Sequence, residues 1–259
     1  MTARTRPVAI VTGGRKGIGL GIARALARAG FDLALTGLPG DDDGADAVLT
    51  GLRAEGGEAI YLAADLADLS GHAATVAAVT GRFGGIDCLV NNAGMASVRR
   101  GDFLELEPGH FDAIVGTNLR GTVFFTQAVL RAMLADSNAR HARAVVNITS
   151  VSATMASPER IDYCLTKAGL AAFSQALALR LAESGISVFE VRPGIIRSDM
   201  TAPGAPRYDA LIAEGLVPMK RWGEPADVGE IVAALAGGRF AFATGSVINA
   251  DGGLAIARL

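Results

Sequence analysis

Val8-Ala9-Ile10-Val11-Thr12-Gly13-Gly14-Arg15-Lys16-Gly17-Ile18-Gly19 decides the fold. It opens with a short apolar run rich in β-branched residues, the pattern of a strand covered on both faces. Glycines follow at once. Residues 18–29 then read as a helix, closed by Gly30. A strand that turns through glycines into a helix suits a phosphate. The glycines permit a tight turn and close backbone approach, and the helix start offers free N–H groups and a partial positive charge. A plain strand-to-helix turn also favours glycine. The context, a first strand before and a helix after, tips the balance towards cofactor binding.

The alternation continues outward from this turn. Strands are expected over 33–36, 59–63, 87–90, 144–148, 187–191 and 246–249. Helices are expected over 45–55, up to Phe83 from about Thr75, and over 111–134, 163–183 and 227–236. Strands alternating with helices imply a parallel sheet with helices on both faces, and the doubly wound arrangement is the simplest such topology. No linker, repeat or low-complexity block interrupts the pattern. The expectation is one Rossmann-like α/β domain over residues 1–259.

Composition narrows the function. The chain has 259 residues, 50% of them hydrophobic, enough for a sizeable core. Its net charge of −2, with no Lys/Arg cluster, argues against nucleic acid and anionic membrane surfaces. No apolar stretch approaches the roughly 20 residues that span a bilayer. The polar start, residues 1–7, has no apolar h-region of the kind a signal peptide carries behind it. Cys88 and Cys164 are the 2 cysteines, without the spacing of a metal site, and fit a reducing cytoplasm. His72, His110 and His141 are scattered, which predicts surface positions and no metal.

Tyr163-Cys164-Leu165-Thr166-Lys167 carries the strongest chemical signal. Tyrosine and lysine at i and i+4 share one helix face. A free phenol, with a pKa near 10, is a poor base at neutral pH. An ammonium nearby favours the phenolate, which predicts a lowered Tyr163 pKa. The phenol can then act as general base on an alcohol or general acid on a carbonyl. Cys164 points elsewhere on the helix and is given no chemistry. Ser150 ends the fifth strand, with Ser152 a competing hydroxyl. Taken alone, Asn91-Asn92-Ala93-Gly94 could be a turn, Asp65 a helix N-cap and Asn118 a solvated helix residue.

Together these segments, in this order, resemble the short-chain dehydrogenase/reductase family: the TGxxxGxG turn at 12–19, Asn91-Asn92-Ala93-Gly94, Ser150, Tyr163 with Lys167, and Pro193-Gly194-Ile195-Ile196-Arg197-Ser198. The tail, around 221–227 and 244–253, is similar too, so the resemblance covers almost the whole chain. It implies hydride transfer between a nicotinamide cofactor and a carbonyl/secondary alcohol pair. Asn118, Ser150, Tyr163 and Lys167 would form the catalytic set. Ser150 would donate to the substrate oxygen, Lys167 would also bond the nicotinamide ribose, and Asn118 would hold a water at a helix kink, in contact with Lys167. The cofactor would lie on Gly13, Arg15, Lys16, Gly17, Ile18 and Gly19. Asp65 and Leu66 would meet the adenine, Asn92, Ala93 and Gly94 would lie beside the cofactor, and Pro193, Gly194, Ile196 and Ser198 would border the nicotinamide. Ser198 stands where the family usually has threonine. A homotetramer, built through the two long helices and the last strand, is also implied.

Cofactor choice and substrate are less determined. An acid at the end of the second strand pairs with the ribose 2′-hydroxyl of NAD, whereas a basic residue accepts the 2′-phosphate of NADP. Those positions are Gly37 and Leu38. Arg15 and Lys16 could reach a 2′-phosphate, and Asp41, Asp42 and Asp43 could repel one. With nothing at Gly37 to exclude the phosphate, NADP(H) is favoured over NAD(H). The segment 198–222, with Met200, Pro203, Pro206, Tyr208, Leu211, Ile212, Met219 and Trp222, reads as an apolar lid, and Met155 could line the same pocket. The overall likeness is to 3-oxoacyl-(acyl-carrier-protein) reductases. Glu183-Ser184-Gly185 stands where a basic carrier contact would follow the Tyr163 helix, and Arg140, His141 and Arg143 could substitute for it or simply form a charged surface loop. Sugar, polyol or other alcohol substrates, and a non-catalytic cofactor sensor on the same fold, are the alternatives.

Overall fold

Val8 and Ile10 point to one face of the first strand, Ala9 and Val11 to the other, and all four are fully buried. Side chains alternate across a strand, so a run apolar at every position needs a covering layer on each side. The computed structural model describes residues 5–137 and 139–258. Residues 1–4, within the polar start, lie outside the described residues.

Among the described residues seven strands form one sheet: β1 (Val8–Thr12), β2 (Asp32–Gly37), β3 (Ala59–Ala63), β4 (Cys88–Asn91), β5 (Arg143–Ile148), β6 (Ile186–Pro193) and β7 (Val247–Ala250). The order is β3-β2-β1-β4-β5-β6-β7 and every pairing is parallel. Helices α1 (Gly17–Arg28), α2 (Ala45–Ala54) and α8 (Pro225–Ala236) cover one face, with Ile22, Leu26, Leu52, Val228 and Val232 in that core. Helices α3 (His72–Phe83), α5 (Thr122–Ala135) and α6 (Ile161–Leu181) cover the other, with Val79, Phe125, Val129, Met133 and Leu181. The remaining helices are α4 (Pro108–Val115) and α7 (Ala205–Ala213). α1 and α8 cross closely. A Cβ on Gly229 would stand 2.4 Å from the Gly21 carbonyl oxygen, so the contact requires glycine.

The long helix expected over 111–134 is interrupted. α4 begins at Pro108, whose fixed φ suits a first turn, and a π-helical turn over Gly116–Gly121 joins it to α5. The turn carries Asn118, and its last residue, Gly121, lies so near the Leu66 carbonyl oxygen that a Cβ would stand 2.3 Å away. Tertiary contact thus imposes a widened turn that helical periodicity does not disclose.

His72 also departs from expectation. It is buried at the start of α3, its Nε2 lies 3.0 Å from the Leu66 carbonyl oxygen, and its ring meets Phe125 edge-on at 5.2 Å. Among the described residues no helix is long and apolar enough to cross a membrane, and no group of His, Cys, Asp and Glu is placed to hold a metal ion.

The strand order reverses between β2-β1 and β1-β4. In open parallel sheets the crevice beyond the carboxyl ends of the strands at such a switch point is where ligands bind. The glycine turn, Asn91-Asn92-Ala93-Gly94, Ser150 and Pro193-Gly194 all lie at or just beyond carboxyl ends of strands in this sheet.

Candidate active site

At the turn from β1 into α1, Gly17 holds φ at +52°, a conformation that strains any residue with a side chain. A Cβ on Gly19 would stand 2.1 Å from the Gly13 carbonyl oxygen. Lys16 occupies the N-cap of α1 and no side chain caps the helix. Its first N–H groups are therefore left for a ligand. Space is open above Gly17, where the nearest neighbour to an added Cβ is the Ser198 Cβ at 3.5 Å. This cradle, lined by backbone and positive by its helix end, fits a pyrophosphate. Ile18 packs its side chain on the core, so only its backbone faces the cradle.

The next motif locks onto this turn. The main-chain N–H groups of Asn92 and Ala93 both donate to Thr12 Oγ1 at 3.0 Å, and Asn92 Nδ2 donates to the carbonyls of Thr12 (2.9 Å) and Gly13 (3.2 Å). Asn91 faces inward. Its Nδ2 donates at 2.8 Å to Thr126 Oγ1 and to Asn147 Oδ1, and Asn147 Nδ2 donates at 2.8 Å to Ser174 Oγ. This buried relay ties β4, β5, α5 and α6 together. Thr12 opens the TGxxxGxG turn, whereas Thr126, Asn147 and Ser174 carry no motif signal. Only the polarity of these three inside apolar runs could have drawn attention to them.

Ser150, Tyr163 and Lys167 converge at the end of β5. Lys167 is buried, and its Nζ donates to the Ile148 carbonyl at 3.1 Å and lies 5.6 Å from the centre of the Tyr163 ring. Burial pushes the Lys167 ammonium down to about 8. The Ser150 side chain is close enough to Tyr163 to act on its pKa, and Ser150 Oγ accepts from the Ser152 N–H at 3.0 Å. Ser152, the competing hydroxyl, supplies that N–H and is itself buried.

The expected lowering of the Tyr163 pKa is not what the structure gives. Burial raises it above the ordinary tyrosine value, and the Ser150 hydroxyl and the Arg160 charge oppose that rise. Desolvation of the phenolate outweighs the charges around it. Arg160 was not singled out by the sequence. Its guanidinium lies 5.5 Å from the Tyr163 ring centre, one helical turn ahead of it.

Asn118 is fully buried and braced against Met95. Its Oδ1 accepts from the Met95 N–H at 2.8 Å, and its Nδ2 donates to the Met95 carbonyl at 2.9 Å and to Thr166 Oγ1 at 3.4 Å. These bonds reach the neighbour of Lys167 rather than Lys167 itself. Gly94 separates the two residues. A Cβ there would stand 3.1 Å from Asn118 Oδ1 and 3.8 Å from Lys167 Nζ. Beside this group Asp162 is buried, and its Oδ1 accepts from Ser97 Oγ at 2.6 Å and from the Tyr163 N–H at 2.7 Å.

Beyond β6, Thr201 shapes the turn. Its Oγ1 donates to the Ile196 carbonyl at 2.7 Å and accepts from the Ser198 N–H at 3.0 Å. Pro193 pairs with Ala250 at the strand end, and Gly194 sits against Asp251, where a Cβ would meet the Asp251 Cβ at 2.8 Å. The Ile196 side chain is buried in the core. Asp65 accepts from the Ala67 N–H at 2.8 Å, whereas the N-cap of the following 3-10 turn is Asp68. Leu66 is buried, leaving its backbone alone for a ligand.

In segment 198–222, Ile212, Val217 and Trp222 form a small core of their own, with Tyr208 edge-on to Trp222 at 5.7 Å. Tyr208 is close enough to Tyr163 to act on its pKa. Met200, Met219 and Met155 are exposed. A cavity of about 240 Å³ lies behind this segment, bordered by Ile196, Val217, Met219, Trp222 and Asp251. Neither Ser150 nor Tyr163 lines it.

Arg15 and Lys16 are not free. Arg15 Nη2 contacts Asp41 Oδ1, Arg15 Nη1 donates to the Asp43 carbonyl at 2.5 Å, and Lys16 Nζ lies 3.4 Å from Asp41 Oδ2.

The family described as Enoyl-(Acyl carrier protein) reductase matches residues 13–255. A 3-oxoacyl-[acyl-carrier-protein] reductase of Synechocystis sp. is 35% identical over 258 residues, 98% of this chain and 99% of that protein. The crystal structure of a 3-oxoacyl-[acyl-carrier protein] reductase from Brucella melitensis in complex with NAD is similar at 66% identity and a TM-score of 0.96, covering 99% of this chain and 100% of that one. A variant of the actinorhodin polyketide ketoreductase with NADPH is similar at 33% identity and a TM-score of 0.89, again over 99% and 100% of the two chains. With the glycine cradle, the Asn-Asn-Ala-Gly brace and the Ser150, Tyr163 and Lys167 cluster in place, these likenesses assign the chain to the short-chain dehydrogenase/reductase family of nicotinamide-dependent oxidoreductases.

Proposed function

We propose that the chain interconverts a 3-oxoacyl thioester and its 3-hydroxy form. The observation that carries this reading is the convergence of Ser150 and Tyr163 beside the buried Lys167, whose Nζ lies 5.6 Å from the Tyr163 ring centre. When bound, the nicotinamide supplies or accepts the hydride. The protein's part is the proton. Tyr163 gives its hydroxyl proton to the substrate oxygen on reduction and takes it back on oxidation. Ser150 donates to the same oxygen and steadies its developing charge. Lys167 sets a positive charge beside the phenol, favouring the phenolate each time the proton leaves. Asn118, through Met95 and Thr166, fixes the backbone around them.

The cofactor would rest on the backbone of Gly13, Gly17, Ile18 and Gly19, beside Asn92, Ala93 and Gly94. Asp65 and Leu66 would border the adenine, and Pro193, Gly194, Ile196 and Ser198 the nicotinamide. The expectation of NADP(H) rested on there being nothing at Gly37 to exclude the phosphate. Arg15 and Lys16, which could reach a 2′-phosphate, are ion-paired with Asp41 instead.

The thioester class is supported by the names of the Synechocystis and Brucella relatives and by exposed Met155, Met200 and Met219 for an acyl chain. Segment 198–222 would act as the lid, with Tyr208 close enough to the phenol to act on its pKa. Carrier docking has less support. Arg143 Nη1 is turned inward to the Met133 carbonyl at 2.5 Å, and Glu183 stands exposed after α6. A homotetramer is supported by apolar side chains left exposed on α5 and α6 (Phe124, Leu165, Leu179) and around β7 (Phe240, Phe242, Val247), and a monomer in light scattering would remove it. The free thiols Cys88 and Cys164 fit a reducing cytoplasm.

An absorbance assay at the reduced-nicotinamide band tests the substrate class, with β-ketoacyl thioesters, ketosugars and diketones in parallel. Turnover of the thioester is expected. Turnover of a sugar or diketone alone would overturn the acyl assignment, and no turnover with any of them would favour the sensor.

A further inference from the structure

The end of β2 carries no acid, yet an acid reaches that place from the loop beyond it. β2 closes at Gly37, and a Cβ there would stand 2.3 Å from the Tyr61 hydroxyl oxygen of β3. The space where a strand-end side chain would begin is therefore filled by Tyr61. That hydroxyl donates to the Asp41 carbonyl at 3.0 Å, and the Asp41 N–H donates to the Leu38 carbonyl at 3.0 Å. The loop is folded back on itself and pinned to the neighbouring strand. Burial and the Asp41 charge both push the Tyr61 phenol up, so it remains a donor at neutral pH.

Pinned in this way, Asp41 faces the glycine turn. Its two carboxylate oxygens meet Arg15 and Lys16, the two cations next to the cradle. Asp42 and Asp43 follow it, and Arg15 is held a second time by the Asp43 carbonyl. The local count is two cations against three carboxylates.

We propose that Asp41, held by Tyr61, is the residue that makes this enzyme select NAD(H) over NADP(H). The inference rests on the nicotinamide-dependent reading of the same cradle. A ribose 2′-hydroxyl is a neutral donor and adds a hydrogen bond to a carboxylate that is already in place. A 2′-phosphate is an anion that must pull Arg15 and Lys16 away from Asp41. It would leave that carboxylate unpaired beside it, with Asp42 and Asp43 adjoining. Asp41 thus acts twice, as an acceptor for one cofactor and as a guard over the cations the other would need. Tyr61 is a positioning residue.

The test is fluorescence titration of NADH and NADPH into substrate-free protein, wild type and the Asp41→Asn, Asp41→Ala and Arg15→Ala variants, with kcat/KM for each cofactor alongside. Wild type is expected to bind NADH at least about tenfold more tightly than NADPH. Asp41→Asn, which keeps the shape and loses the charge, and Asp41→Ala are expected to shrink that ratio by about tenfold or more, chiefly by strengthening NADPH. Arg15→Ala is expected not to weaken NADPH selectively in an otherwise wild-type chain. Wild-type binding of NADPH as tight as NADH, or an unchanged ratio in both Asp41 variants, would overturn the inference while leaving the oxidoreductase reading intact. Binding of neither cofactor would overturn both.

Discussion

The Lys167 ammonium lies 5.6 Å from the centre of the Tyr163 ring and is buried, held by one hydrogen bond to the Ile148 carbonyl. Its pKa falls from 10.5 to about 8 because burial penalises the charged form. Between those values the unfolded chain binds the proton that the folded chain gives up, so Lys167 makes stability rise with pH across that window. Below about 8 the folded chain bears the full cost, about 3 kcal/mol. Lys167→Met should remove this cost and lose about 1 kcal/mol with the bond to Ile148. A net gain of about 2 kcal/mol is expected at pH 7, shrinking as pH rises from 8 to 10.5, with turnover abolished. Urea unfolding at pH 7 and pH 10 measures it.

Arg160 pulls the Tyr163 pKa down against the effect of burial. Arg160→Leu should therefore raise that pKa, and the pH profile of alcohol oxidation, which needs the phenolate, should move to higher pH. The reductive direction, which needs the protonated phenol, should persist to higher pH. An unmoved profile in both directions would exclude the contact.

The strands were legible because most carry a short apolar run, and the central β1 and β4 are buried at every position, the consequence of helices on both faces. The turn at 12–19 announced itself through glycines whose need is steric, as the 2.1 Å approach at Gly19 makes plain. Tyr163 and Lys167 were legible because helical spacing alone puts them on one face. What escaped notice depends on groups far apart in sequence. The π-helical turn at Asn118, where the family resemblance alone implied a kink and helical periodicity gave none, is set by the Leu66 and Met95 backbones. The burial of His72 follows from packing against Phe125. Tyr163 has a raised pKa because burial outweighs nearby charge, and burial is not readable from spacing. Arg15, Lys16 and Asp41 were each visible, but nothing in their order says that they pair.

Asn147 sits between Asn91 and Ser174 with both ends of its amide used. Asn147→Leu would leave the buried Asn91 amide and Ser174 hydroxyl without that partner. A loss of about 2–4 kcal/mol is expected, since each buried unsatisfied group costs about 1–3 kcal/mol. Chemical denaturation checks it. A change below about 0.5 kcal/mol would mean the relay does not hold the sheet to α6.

Gly19→Ala would set a methyl group against the Gly13 carbonyl and deform the cradle. Cofactor affinity should fall by at least about tenfold, equivalent to about 1.4 kcal/mol. Isothermal titration of the variant reads this directly, and unchanged affinity would mean that the glycine turn is not the phosphate site.

Ser150→Ala removes the hydroxyl that we propose donates to the substrate oxygen. Turnover should fall by about 10²–10³, with cofactor affinity unchanged. A variant whose kcat stays at the wild-type value would take Ser150 out of the reaction.

The central claim is that the Tyr163 hydroxyl moves the proton. Tyr163→Phe deletes one oxygen and keeps the ring. The decisive measurement is its kcat on the best thioester substrate, set beside its cofactor dissociation constant. A fall in kcat of at least about 10², with cofactor binding intact, is the predicted result. Turnover at the wild-type rate, with the cofactor bound, would contradict it.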